Sequence, residues 1–165
     1  MKMLGICVLL VSVAVAHEAA ATHLGKRHES CPNGWSQFKH RCFCYFSTPM
    51  TWASAEETCL SMNATLASVH NLGEYYYIQG LIKAFTLENK QAWLGGSDAQ
   101  KEGTWMWSDR SPFHFLNWCP RQPDNYGTQN CLQMNYGDGK CWDDVLCTIR
   151  RHFVCAKGIG FNSKV

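Results

Sequence analysis

The feature that most constrains this chain is its ten cysteines among 165 residues. So many thiols in so short a sequence imply either covalent staples formed in an oxidising compartment or a metal held by sulfur. The N-terminus bears on that choice. Lys2 supplies a positive start, Met3 to Ala16 is apolar and uncharged, and Ala14-Val15-Ala16 puts small residues where a signal peptidase reads. The run is too short to cross a bilayer core of about 30 Å as a stable helix. Residues 1–16 are therefore expected to be a signal peptide, and the protein to be secreted, with no membrane span. Residues 17–27 form an Ala-rich leader ending in Lys26-Arg27, a dibasic pair open to processing or simply retained. A single domain is expected over 28–158, followed by a tail over 159–165. Loss of the signal peptide removes Cys7 and leaves Cys31, Cys42, Cys44, Cys59, Cys119, Cys131, Cys141, Cys147 and Cys155. None stands in the C-x2-C pairs of zinc ribbons, and no H-x3-5-H accompanies them. The expectation is four disulfides and one odd thiol.

The net charge of +2 gives no basic excess for neutralising phosphates, so nucleic acid is not expected as a partner. Aromatics make up 13% of the chain, with seven Trp, which is far more apolar surface than disordered chains carry. Trp35 to Phe38 and Arg41 to Phe46 read as two short strands. Thr51 to Met62 has helical spacing, with Trp52, Ala55, Cys59 and Met62 on one face and Thr51 as N-cap. Asn71-Leu-Gly-Glu74 opens a second helix as a capping box, with Tyr75, Ile78, Leu81, Ile82 and Phe85 inward. Beyond about residue 86 only short aromatic strands and turns follow. Two helices and then strands indicate an α+β domain. The stretch from Ser108 to Asp144 is rich in loops, and a long structureless loop in a compact domain is usually functional.

That loop holds oxygen. Gln122, Asp124, Gln129, Asp143 and Asp144 offer carboxylates and amide carbonyls, the donors that a hard cation such as Ca2+ prefers. Pro123 lies between two of them, and a cis bond at Gln122-Pro123 would turn both side chains to one side. The bland alternative is a set of solvated loop polars.

Cys31-Pro-x-Gly-Trp35, Arg41-Cys42-Phe43, Thr51-Trp52-x-x-Ala55-Glu56-x-x-Cys59, Leu66-Ala67-Ser68-Val69-His70, Trp93-Leu94-Gly95-Gly96, Trp105-x-Trp107-Ser108-Asp109, Cys131-Leu132-x-Met134, Cys141-Trp142-Asp143-Asp144 and Phe153-Val154-Cys155 follow one another in order. With these motifs the chain resembles a C-type lectin-like domain from Cys31 to Lys157, most like the secreted fish lectins and the type II antifreeze proteins. The resemblance implies two helices packed on short antiparallel sheets with a long calcium-binding loop region. It implies bridges Cys31–Cys42, Cys59–Cys155 and Cys131–Cys147, with Cys119–Cys141 as the extra pair found in the antifreeze proteins. Cys44 is left over, either for an interchain bridge or as a buried thiol, the reading an alternating strand favours.

The resemblance also makes Gln122-Pro123-Asp124 the galactose-type motif in place of the mannose-type Glu-Pro-Asn. It assigns Ca2+ to Gln122, Asp124, Gln129, Asp143 and Asp144, and sugar to Gln122, Asp124, Gln129 and Asp143. Tyr126 stands where galactose-binding members often carry a stacking aromatic. Two positions depart from the pattern: Gln129 replaces a Glu and Asp143 replaces an Asn. The exchange keeps three carboxylates and keeps one amide and one carboxylate for each sugar hydroxyl. Asn63-Ala64-Thr65 is an acceptor sequon.

No Ser/His/Asp or Cys/His arrangement and no phosphate loop stands out, so an enzyme is not expected. A calcium-dependent galactose-type lectin, with a role at microbial surfaces in innate defence, is the leading expectation. The alternative is a calcium-dependent ice-binding protein using the same loop. Cys119–Cys141 and Lys140 favour ice; Ala99 and Asn130, standing where antifreeze relatives place a further cysteine pair, favour the lectin.

Overall fold

The computed structural model describes residues 30–160. The expected signal peptide and leader lie outside the described residues, as does most of the expected tail. The chain begins with a hairpin, β1 (Ser36–Phe38) and β2 (Arg41–Met50), turning at Lys39 with φ 52°. Next come α1 (Trp52–Leu60), β3 (Thr65–Leu66) and α2 (Leu72–Thr86). Then follow β4 (Ala92–Ser97), β5 (Met106–Trp107), β6 (Cys131–Tyr136), β7 (Cys141–Val145) and β8 (Arg151–Gly158). The strands form one mixed sheet in the order β1-β2-β8-β4-β6-β7, with β3 added on β8 and β5 on β4. The described pairs are antiparallel except β4 with β8, which run parallel. Two helices on a sheet of short strands make this an α+β domain.

The pleat explains the unbroken apolar runs in β4 and β8. Successive side chains leave a strand on opposite faces, so a strand covered on both faces reads apolar throughout. Ala92 and Leu94 join Val154 and Ala156 in a core with Phe43, Tyr75, Ile78, Ile82 and Trp142. Trp93, Phe153 and Cys155 join a second core with Ala55, Cys59 and Leu66. The first core is covered by α2 and the second by α1.

Both helices are capped where the sequence indicates. Thr51 Oγ1 accepts from the Ser54 N–H at 3.3 Å and Asn71 Oδ1 from the Glu74 N–H at 3.0 Å. The return bond of the second cap differs from a capping box. Glu74 Oε2 accepts from the His70 N–H at 2.9 Å and pairs with Arg41 Nη1 at 3.0 Å. Phe85, expected on the inner face of α2, is 68% exposed, since the buried stripe reduces to Tyr75, Ile78 and Ile82 and the helix ends within one turn of it. Trp52 is only half-buried; its indole N–H donates to the Leu94 carbonyl at 2.9 Å. Trp93, Trp107 and Trp142 are buried, and half-buried Trp105 packs edge-on against Trp118.

Four disulfides close the fold: Cys31–Cys42, Cys59–Cys155, Cys119–Cys141 and Cys131–Cys147. Cys59–Cys155 joins α1 to β8 across 96 residues of sequence. The chain-entropy model gives a loop of that size about 4.7 kcal/mol. Cys44 is free and half-buried, its Sγ 3.5 Å from the Gly34 carbonyl. Burial pushes its thiol pKa up, and the nearby Lys157 charge works against that. The thiol lies on the β2 face away from Phe43 and Tyr45, at the rim rather than inside either core.

Gly95 and Gly96 have a steric reason. A Cβ on Gly95 would lie 2.6 Å from the Leu66 carbonyl oxygen, and one on Gly96 would lie 2.7 Å from Leu132 Cδ1. Gly95 cannot yield cheaply, because the obstacle is backbone and its own N–H is held by the Ala67 carbonyl at 2.9 Å. Gly95→Ala is expected to lower stability by about 1–3 kcal/mol, the usual cost of overpacking. Urea unfolding of the two proteins measures it, and an unchanged midpoint would show that the sheet gives way freely here.

Candidate functional site

The site begins with the register of β6 and β7, which pairs Leu132 with Asp144 and Gln133 with Asp143. Adjacent residues on a strand face opposite ways, so the two aspartates take different surroundings. Asp143 turns to Gln133, whose Nε2 donates to its Oδ2 at 2.7 Å. Arg151 Nε in turn donates to Gln133 Oε1 at 2.7 Å. The result is a buried relay from Arg151 through Gln133 to Asp143. Burial raises the Asp143 pKa, and the charges of Asp144 and Asp124 push the same way; the Gln133 hydrogen bond and Arg151 oppose them.

Asp144 is 1% exposed and holds the loop. Its Oδ1 accepts from the Asp124 N–H at 2.9 Å and its Oδ2 from the Asn125 N–H at 2.7 Å. The loop's other oxygens are turned onto its own backbone. Gln122 Oε1 accepts from the Asp124 N–H at 3.0 Å, and Asp124 Oδ1 and Gln129 Oε1 both accept from the Tyr126 N–H at 3.1 Å. Gln122 Nε2 donates to Asp124 Oδ2 at 3.3 Å. Asn125 closes the turn by accepting from the Gln129 N–H at 2.9 Å. The Gln122–Pro123 peptide is cis, and Arg121, Asn125, Gly127 and Thr128 have positive φ. Tyr126, 84% exposed, stands outside this tight turn.

The base of the loop is bolted to β7. Cys119 is bonded to Cys141, the Cys119 N–H donates to the Trp142 carbonyl at 2.9 Å, and the Trp142 N–H donates to the Asn117 carbonyl at 2.8 Å. Trp142 itself sits within an aromatic cluster of Trp107, Phe113, Phe115 and Trp118. Rigid ends and an oxygen-lined turn are what a preorganised binding loop needs.

Hydrogen bonds thus tie Gln122, Asp124, Gln129 and Asp144 into one loop assembly. Asp143 is not hydrogen-bonded to any of them and lies behind the loop on Gln133. Among the described residues no three His, Cys, Asp or Glu side chains converge as a metal cluster. The donor chemistry still fits a hard cation. Each of these oxygens has a second lone pair beyond the N–H it accepts, all are oxygen rather than sulfur or nitrogen, and the charges of Asp144 and Asp124, which add to the burial that raises the Asp143 pKa, are what a cation offsets. Sequence reasoning did not single out Gln133 or Arg151, and it set Asn125 aside. Strand register, invisible in an unaligned sequence, joins Gln133 and Arg151 to the site, and the turn's own hydrogen bonds join Asn125.

A second polar cluster lies elsewhere. Ser68 Oγ accepts from Arg41 Nη2 at 2.8 Å, donates to Asp109 Oδ2 and lies 3.1 Å from His70 Nε2. It is a Ser, His and Asp grouping with the carboxylate on the wrong partner: the Asp bonds the serine instead of orienting the imidazole. Ser68 is fully buried, and the cluster fastens β2 to the segment before α2 and to the segment after β5.

Residues 48–157 match the lectin C-type domain model. The chain belongs to that family. It is 42% identical over 131 residues to the galactose-specific lectin nattectin of Thalassophryne nattereri, covering 79% of this chain and 82% of that protein. Among solved structures, a Ca2+-dependent type II antifreeze protein in its Ca2+-free form superposes with TM-score 0.72 at 40% identity, covering 77% of this chain and 99% of that one. A calcium-independent type II antifreeze protein superposes with TM-score 0.71 at 36% identity, covering 79% and 95%. This C-type lectin domain thus resembles both lectins and antifreeze proteins closely. Among the described residues no helix is long and apolar enough to cross a membrane.

Two outcomes follow from this geometry. Asp144→Ala removes the acceptors of two loop N–H groups. The Asp124 N–H keeps Gln122 Oε1 as an acceptor, whereas the Asn125 N–H has no other; leaving such a group unpaired costs about 1–3 kcal/mol, so the Asn125 amide is expected to exchange with solvent about 10-fold faster or more. Exchange at the native rate would mean that the turn holds itself. For Asp143 the raised pKa sets the sign: its contribution favours the fold at low pH and is lost as pH rises through the folded value. Asp143→Asn, which can still accept from Gln133, is therefore expected to raise the melting temperature in EDTA at pH 7. A lower melting temperature there would contradict a cost of burying this charge beside Asp144 and Asp124.

Proposed function

We propose that this domain is a secreted, calcium-dependent lectin for galactose-type sugars. The observation that carries this reading is the loop from Gln122 to Gln129, which combines an adjacent amide and carboxylate at Gln122 and Asp124 with an exposed aromatic at Tyr126. A sugar hydroxyl both donates and accepts, so it matches a carboxylate acceptor beside an amide donor. The face of Tyr126 suits the apolar side of a galactose ring. The residues that would hold Ca2+ are Gln122, Asp124, Gln129, Asp143 and Asp144. When bound, the ion supplies a positive centre to which paired sugar hydroxyls are drawn. The chain's part is to hold the loop in shape through Asp144 and Cys119–Cys141, and to keep Asp143 ionisable behind it through Gln133 and Arg151. The 42% identity to a galactose-specific lectin supports the same ligand class.

Ice binding through this loop is the second reading, and the likeness to type II antifreeze proteins supports it. Asn130 bears on it: its Nδ2 donates to Asp98 at 2.9 Å and its carbonyl accepts from Ser97 Oγ at 2.7 Å, while Ala99 next along the chain is exposed. Side-chain hydrogen bonds here do the fastening expected of an extra disulfide in antifreeze relatives, which favours the lectin.

Retention on galactose-agarose with Ca2+ and elution by EDTA is the expected result, with no thermal hysteresis in either condition. Hysteresis without sugar retention would reverse the assignment, and calorimetric titration without heat would remove calcium from it. Gln122→Glu with Asp124→Asn is expected to shift retention from galactose to mannose. Unchanged galactose retention by that variant would place the sugar outside the loop.

A further inference from the structure

The Asn63-Ala64-Thr65 sequon stands outside the loop. α1 ends at Leu60, and the chain leaves it through Met62 and Asn63, whose N–H groups donate to the Cys59 and Leu60 carbonyls at 3.0 Å each. Asn63 has φ 53°, a conformation asparagine tolerates better than most residues. The Asn63 N–H is thus engaged while the side chain is exposed, and no hydrogen bond ties its carboxamide to another described residue. Beside it opens a groove of about 520 Å³, lined by Leu60, Asn63, Thr65, Arg41, Asp109 and Lys157 among others. The groove leaves room for a bulky substituent and has the charged and polar rim that a hydroxyl-rich one wets easily. Thr65, the third sequon position, begins β3 opposite Ala156, so a substituent on Asn63 leaves the β3–β8 pairing intact.

We propose that Asn63 carries an N-linked oligosaccharide. The inference rests on the reading of this chain as a secreted protein. The attachment is a group transfer from a polyisoprenyl-diphosphate-linked oligosaccharide, supplied in the secretory compartment as the chain enters. Asn63 Nδ2 forms a bond to the anomeric carbon, the bond from that carbon to the phosphate oxygen breaks, and the lipid diphosphate leaves with the electron pair. The amide gives up one proton to a base of the transferring enzyme. The glycan then projects from the end of α1. The groove beside it shares no lining residue with the loop from Gln122 to Gln129, so ligand capture by that loop is unaffected.

The test is to express the full chain in cultured animal cells and treat it with a peptide-N-glycosidase under denaturing conditions. A single downward mobility step is expected for the native chain and for Thr65→Ser, which keeps the sequon. Asn63→Gln and Thr65→Ala are expected to run at the deglycosylated position. Protein in the medium with no step overturns the glycan while leaving secretion intact. Protein found only inside the cells and without a step overturns both. A step retained by Asn63→Gln places the sugar on another residue and overturns the assignment. Because the native chain and Thr65→Ser report without any disruptive change, poor folding of one variant does not obscure the result. Retention of Asn63→Gln on galactose-agarose is expected to equal that of the native protein, and a loss with intact folding would refute the separation of the two surfaces.

Discussion

The strand β8 and its covalent tie to α1 are what the rest of the molecule depends on. β8 pairs with β2, β3 and β4, so the last segment of the domain lies in the middle of its sheet. Alternate residues of this one strand build both cores: Val154 and Ala156 on the α2 side, Phe153 and Cys155 on the α1 side. A strand that must come home from the far end of the chain pays a large entropic cost of loop closure. Cys59–Cys155 reduces that cost by constraining the unfolded chain. With the closure made, the intervening stretch needs little regular structure of its own.

That freedom is why residues 108–130 can run without helix or named strand. Their ends are held by β5 on one side and by Cys131–Cys147 on the other, and Cys119–Cys141 ties their middle to β7. Their aromatic residues Phe113, Phe115 and Trp118 fold back onto Trp142. A surface with rigid ends and a locally variable turn lets one scaffold serve different ligands, consistent with close relatives that include a lectin and antifreeze proteins. The buried carboxylate of Asp144 organises the backbone of the turn, while its neighbour Asp143 is hydrogen-bonded to Gln133.

Much of the fold was legible in the residues. The helical spacing at Trp52, Ala55 and Cys59, the caps at Thr51 and Asn71, and the short aromatic strands all correspond to described elements. The four bridges join the cysteines that the family resemblance pairs. Phe85 has the helical spacing of an inward residue yet is exposed, because helical periodicity does not say where the partner surface stops. The candidate loop residues could be picked out as oxygen donors near a proline, but their grouping could not. Asp143 and Asp144 are adjacent in sequence, and only the pleat separates them; Gln133 and Arg151 are distant in sequence, and only register brings them to Asp143.

By itself, then, the sequence determined the disulfide-dense α+β domain, its helices and the stock of oxygen ligands, because capping, periodicity and side-chain chemistry are local properties. The tertiary structure alone decided which aspartate anchors the loop, that Cys44 stays half-buried outside both cores, and that the sequon asparagine opens onto a groove. Those outcomes depend on which strand lies beside which, on how each face is covered and on where the chain bends, and these are set by packing across the whole sheet.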